Sequence, residues 1–121
     1  ASRELNEPQT RATEGIRLEL HPRCWQETEL RIDPVHAVFH DPFDPKVNPD
    51  CWTVEAFAWS RSQISPTGRL ATYSAAGHIR RAMRDAGYVV ARGEGYGQKR
   101  EMTLASPTES ALAPHRIKYR P

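Results

Sequence analysis

A chain of 121 residues with 38% hydrophobic and 26% charged side chains and a net charge of +2 has the dimensions of one small domain and excludes a multidomain assembly. Its apolar runs, such as Tyr88, Val89, Val90 and Ala91, fall far short of the ~20 residues of a membrane-spanning helix, and the polar start through Pro8 has no signal-peptide core, so a cytoplasmic protein without membrane contact is expected. Residues 1–78 carry 8 basic and 11 acidic side chains and residues 79–121 carry 9 and 4, a basic C-terminal third that suits either a phosphate backbone or a solvated helix face with a loose tail.

Residues 1–15 are polar, contain Pro8 and lack a period, which predicts an irregular N-terminal arm. Ile16, Leu18 and Leu20 alternate with Arg17 and Glu19, the pattern of a half-buried strand, and Pro22 stops it. A short helix is expected over residues 24–31, with Trp25 and Leu30 as its apolar contacts. The run Val35-His36-Ala37-Val38-Phe39-His40 predicts a strand. It empties into a stiff loop, residues 41–50, in which Pro42, Pro45 and Pro49 forbid both helix and central strand.

A helix should follow from Pro49 or Thr53, with Val54, Phe57, Ala58 and Ile64 as its stripe and Ser65-Pro66-Thr67-Gly68 as its end. Residues 69–74 predict a strand. Ile79, Ala82, Met83 and Ala86 then recur at helical spacing, with Gly87 as the residue after the C-cap. Residues 88–92 and 99–105 read as strands joined closely enough to form an antiparallel hairpin. The tail from residue 107, with Pro107, Pro114 and Pro121 among basic side chains, is expected to be irregular.

Strands alternating with amphipathic helices predict an α/β architecture, a parallel sheet with helices on its faces that ends in an antiparallel hairpin. Ligands of such sheets bind beyond the carboxyl ends of the strands, which directs attention to residues 41–52.

Cys24 and Cys51 are too few and too far apart for a disulfide scaffold, and a reducing compartment is the default. His36 and His40 share a strand face but stand about 13 Å apart on an extended chain, too far for one metal ion, and no metal site is expected. Gly93, Gly95 and Gly97 imitate a phosphate loop. Such a loop must open a helix, whereas strand-like residues follow here, so a hairpin connection is expected instead.

Asp41-Pro42-Phe43 carries more chemistry. A carboxylate at a strand's end, stiffened by proline and followed by an aromatic ring, can accept hydrogen bonds from an amine while the ring packs against the group being modified, which suits N-methylation. Asp-Pro also begins ordinary turns.

Four blocks settle the choice: His40 to Trp52 (HDPFDPKVNPDCW), Leu70 to Ala76 (LATYSAA), Ile79 to Val90 (IRRAMRDAGYVV) and Gly95 to Met102 (GYGQKREM). In order and spacing, over roughly residues 16–106, they resemble the S-adenosylmethionine-dependent methyltransferase domain of the tRNA 5-methylaminomethyl-2-thiouridine biosynthesis family. The resemblance implies a Rossmann-like class I methyltransferase that moves a methyl group from S-adenosylmethionine to the aminomethyl nitrogen on C5 of a wobble uridine, with tRNA as partner. It places Asp41 and Phe43 at the junction of methyl donor and amine. Asn48, Pro49 and Trp52 then match the family's Asn-Pro-x-x-Trp at the pocket floor. Pro42 belongs to the substrate-binding turn, and Tyr73 and Ser74 end the next strand on the same rim. Lys99 and Arg100 match a Lys-Arg pair that could meet tRNA phosphate. Arg23 and Cys24 stand where the family shows Gly-Asp near the adenine, which puts Cys24 beside the cofactor.

The family opens with a strand, a glycine-rich turn and an acidic residue that together grip the cofactor, and residues 1–15 resemble none of these. The sequence therefore reads as the C-terminal part of the domain, with the first strands missing: a partial methyltransferase domain over residues 16–106 between an arm and a basic tail, residues 107–121. The edge of the strand ending at His40 would be open, and it is expected either to pair with another copy of the chain or to be covered by residues 16–20. The alternative function is a non-catalytic remnant that binds RNA or protein.

Overall fold

The computed structural model describes residues 7–28, 33–95 and 101–121, and it divides into two compact units, residues 1–31 and 32–121. In the first, β1 (Gln9–Thr13) pairs antiparallel with β2 (Ile16–Leu20) through the turn at Gly15, which holds a positive φ of 77°. Backbone pairing thus orders residues 9–13, which corrects the expected irregular arm. The alternation of β2 does not bury a face, since Ile16, Leu18 and Leu20 are all exposed. Of the helix expected over residues 24–31, a single 3-10 turn, Trp25–Glu27, lies in the described residues, and Leu30 lies outside them.

The second unit holds a five-stranded sheet in the order β3-β4-β6-β5-β7, formed by β3 (Val35–Phe39), β4 (Ile64–Thr72), β5 (Val89–Glu94), β6 (Glu101–Ser106) and β7 (Arg116–Tyr119). β3 and β4 are parallel, and β6 enters antiparallel between β4 and β5. The predicted α/β class and final hairpin are present, but the tail is not wholly irregular: β7 pairs antiparallel with β5. β2 pairs with β1 in a two-stranded sheet of its own, and among the described residues β3 is an edge strand of the five-stranded sheet.

The helices are α1 (Val54–Gln63) and α2 (Gly77–Asp85). Thr53 caps α1, its hydroxyl accepting from the Ala56 amide at 3.2 Å, and the 3-10 turn Pro49–Trp52 leads into it. Phe57 is buried as expected, together with Ala56 and Ser60, whereas Ala58 is exposed, so the stripe is rotated from the predicted one. α1 runs directly into β4 at Ile64, without the expected stop at residues 65–68. Pro66 is tolerated there because β4 slips register against β3 between Ile64 and Arg69, which leaves its missing N–H outside the ladder. α2 ends as predicted, with Gly87 at a φ of 102° that residues with a Cβ resist.

Cross-strand register decides which face each helix covers. Leu70, Ala105 and Val90 lie side by side on three strands and join Trp52, Phe57, Ile79 and Met83 in one cluster, so both helices cover the same face. Both faces were expected to carry helices. The neighbouring row turns to the other side, where Ala91 and Val89 pack with Leu112 of the 3-10 turn Ser110–Leu112.

Candidate methyl-transfer site

The alternation of an extended chain builds the site at the carboxyl end of β3. The His40 amide continues the ladder by donating to the Ala71 carbonyl at 2.9 Å, while its ring turns inward between Trp52 and Phe57, at centroid distances of 4.8 and 4.7 Å. Phe39 and Asp41, one residue to either side, instead line a cavity of about 230 Å³ with Ala71, Thr72, Tyr73, Gly95 and Met102. Carboxylate, aromatic ring and cavity thus meet where parallel strands β3 and β4 end.

His40 fixes both ends of the following loop. Its Nε2 lies 2.9 Å from the Cys51 carbonyl, which assigns the donating tautomer, and burial holds its pKa down to about 4 against the weaker opposing effects of that bond and of Asp41. Within the loop the Asn48 side-chain amide donates to the Pro42 carbonyl at 3.4 Å, and the Asn48 backbone amide donates to the Asp44 carbonyl. Phe43 takes a left-handed φ of 58°, and its carbonyl accepts the Tyr73 hydroxyl at 2.5 Å. Phe43 is 76% exposed. Desolvation, followed by the carboxylates of Asp44 and Asp41, raises the Tyr73 pKa, so this hydroxyl stays a donor.

Tyr73 also borders a second, more polar cavity of about 380 Å³, lined by Asp44, Pro45, Lys46, Ser74, Ala75, Ala76 and His78. Trp52, 4% exposed, underlies the rim and stands edge-on to Tyr73 at 6.1 Å, and its indole N–H has no hydrogen-bond partner among the described residues. Pro49 opens the 3-10 turn that delivers Trp52.

The residues singled out by sequence therefore gather as follows. Asp41, Pro42, Phe43, Asn48, Pro49, Trp52, Tyr73 and Ser74 occupy one loop and the adjoining strand end. Lys99 and Arg100 lie outside the described residues. Cys24 belongs to the other unit, where its thiol is exposed and its carbonyl accepts from the Thr28 hydroxyl. Sequence reading missed Phe39, Gly95 and Met102. Phe39 was accessible from the i, i+2 relation to Asp41, whereas Met102 becomes a neighbour only through the insertion of β6. Gly93 is a strand residue of β5, and a Cβ there would lie 2.9 Å from Met102 Cγ, so its role is close packing and not phosphate binding.

Among the described residues no three His, Cys, Asp or Glu side chains could hold a metal ion, and no helix is long and apolar enough to cross a membrane. The Asp41 carboxylate and the rings of Phe39 and Tyr73 would suit a positively charged sulfonium.

Residues 12–108 match the S-adenosyl-L-methionine-dependent methyltransferase family. The chain is 40% identical over 94 residues to the tRNA 5-methylaminomethyl-2-thiouridine biosynthesis bifunctional protein MnmC of Pseudomonas paraeruginosa, an alignment covering 75% of this chain and 14% of that protein. It is 41% identical over 91 residues to the MnmC of Ectopseudomonas mendocina, covering 75% of this chain and 13% of that protein. The crystal structure of MNMC2 from Aquifex aeolicus superposes with a TM-score of 0.60 at 31% identity, over 66% of this chain and 26% of that one. The chain thus spans about one seventh of the curated relatives' length and, on the match over residues 12–108, belongs to the S-adenosyl-L-methionine-dependent methyltransferase family.

Proposed function

We propose that this chain forms the substrate-side rim of a tRNA-modifying methyltransferase, which transfers a methyl group from S-adenosylmethionine to the aminomethyl nitrogen of a wobble 5-aminomethyl(-2-thio)uridine. The observation that carries the reading is the position of Asp41 on an apolar cavity at two parallel strand ends, two residues before the exposed Phe43 ring with its left-handed backbone. The similarity to MnmC proteins supplies the substrate class.

S-adenosylmethionine, when bound, supplies an electrophilic methyl group. The chain's own residues prepare the amine. The amine attacks as its neutral form, its ammonium proton having passed to solvent, and the Asp41 carboxylate accepts the remaining N–H hydrogen bonds and aims the lone pair into the cavity. Pro42 fixes the backbone beside it, and the Phe43 ring offers a face on which a uracil ring can stack. Asn48, Pro49 and Trp52 hold the loop from below, while Tyr73 and Ser74 close the rim on the β4 side. Lys99, Arg100 and the basic C-terminal third meet tRNA phosphates, which hold the tRNA without reading its sequence. Cys24, by the resemblance, serves near the adenine.

The test is methyl transfer by the natural protein that carries this chain, read by mass spectrometry of tRNA nucleosides. Gain of one methyl group on 5-aminomethyl-2-thiouridine, dependent on S-adenosylmethionine, is expected. A tRNA that stays unmethylated under saturating cofactor would refute the reading. Calorimetry of the isolated chain with S-adenosylmethionine is expected to show weak binding at most, since residues 1–15 carry no glycine-rich cofactor turn.

A further inference from the structure

Arg80 lies in the middle of α2 and is 3% exposed, the deepest charge among the described residues. Each of its three guanidinium nitrogens donates to β6: Nε to the Thr103 hydroxyl at 2.8 Å, Nη1 to Glu101 Oε1 at 3.1 Å and Nη2 to the Met102 carbonyl at 3.1 Å. The Thr103 hydroxyl, fully buried, passes its single proton on to the Ser74 carbonyl at 2.5 Å. Arg92 Nη2 holds the second oxygen of Glu101 at 2.5 Å, and the two guanidinium groups outweigh burial to keep that carboxyl below its usual pKa.

Stability does not account for this arrangement, because desolvating a guanidinium opposes folding and buried ion pairs are commonly no better than apolar packing. Location does. Met102 lines the apolar cavity beside Asp41, and Ser74 lines the polar cavity on the far side of Tyr73. Arg80 touches one wall directly and the other through Thr103. The planar fork of arginine sets both distances at once, which a point charge on a flexible stem would not do.

We propose that Arg80 is a positioning residue for methyl transfer, a buried strut from α2 that fixes the spacing of Met102 and the Tyr73-Ser74 turn across the site. The proposal rests on the function proposed above, and it separates from that function experimentally. Arg80→Met removes the strut while keeping an apolar chain of similar length, Thr103→Val removes the hydroxyl that joins Arg80 Nε to the Ser74 carbonyl while leaving the bonds to Glu101 and Met102, and Thr103→Ser preserves that link. In the isolated chain, amide hydrogen exchange at Ser74 and Ala76 should quicken about tenfold in Arg80→Met and Thr103→Val and stay at the wild-type rate in Thr103→Ser.

In the natural protein, kcat should fall on the order of 100-fold in the first two variants, with KM for tRNA unchanged and Thr103→Ser restoring turnover. Arg17→Ala, which removes an exposed guanidinium paired with Glu19 outside both the site and the basic C-terminal third, serves as the control with unaltered turnover. Unaltered exchange at Ser74 and Ala76 in both disruptive variants overturns the strut. So does a fall in kcat that merely tracks the folded fraction and is equal in Thr103→Val and Thr103→Ser. A wild-type protein that methylates no tRNA, with the exchange differences present, overturns the proposed function and leaves the strut standing.

Discussion

Acidification should weaken this fold through one side chain, His40. Its ring is 5% exposed between Trp52 and Phe57, and burial lowers its pKa from 6.5 to about 4. The folded state therefore excludes a proton that the unfolded chain accepts below pH 6.5. By linkage, stability is complete above that pH and is lost as the pH falls toward 4. With those two values, the loss between pH 7 and pH 5 comes to about 2 kcal/mol. Other groups titrate as well, so the informative quantity is a difference between proteins. His40→Gln keeps an N–H that can donate to the Cys51 carbonyl and cannot titrate. Urea unfolding followed by far-UV circular dichroism at pH 5, 6 and 7 should show the wild type losing about 2 kcal/mol relative to the variant. Parallel pH profiles for the two proteins would refute the argument.

Phe43→Gly relieves a left-handed backbone at an exposed position and should stabilise the unit by about 1 kcal/mol, seen as a raised Tm, whereas Phe43→Ala keeps the strain and gains nothing. Both should impair methyl transfer through loss of the ring. Trp52→Ala empties the packing beneath the rim against His40, Phe57 and Tyr73 and should cost about 3–5 kcal/mol in chemical denaturation, far above a surface change. The unpaired edge of β3 should let the chain dimerise, and sedimentation velocity across a hundredfold concentration range should reveal it; a monomer throughout would remove that association.

The parts of the fold that sequence discloses are those governed by local chemistry. Val35 to Phe39, the i, i+3, i+4 spacing of Ile79, Ala82 and Met83, and Gly87 after the helix each carry their own instruction, and the structure follows them. Gln9–Thr13 has no such period, and the alternation in Arg116–Tyr119 runs for only four residues. Each is a strand because a neighbour supplies a ladder, β2 for one and β5 for the other, and pairing of that kind leaves little trace in composition.

The candidate site divides in the same way. Asp41, Pro42 and Phe43 are adjacent in the chain and visible as a motif, and their loop closes through His40 and Asn48 within twelve residues. Met102, Thr103 and Arg80 reach the site only because β6 is inserted between β4 and β5. Arg80 is hidden further by its place on an amphipathic helix, where a charged residue next to Ile79 reads as solvated.

The central claim is that Asp41 works at the reacting nitrogen. Its most direct test is single-turnover methyl transfer to tRNA bearing 5-aminomethyl-2-thiouridine by the natural protein with Asp41→Ala, beside calorimetry of the same variant with S-adenosylmethionine. Loss of transfer on the order of 100-fold or more with cofactor affinity held within a few-fold is the expected result. Turnover equal to the wild type would remove Asp41 from the active site.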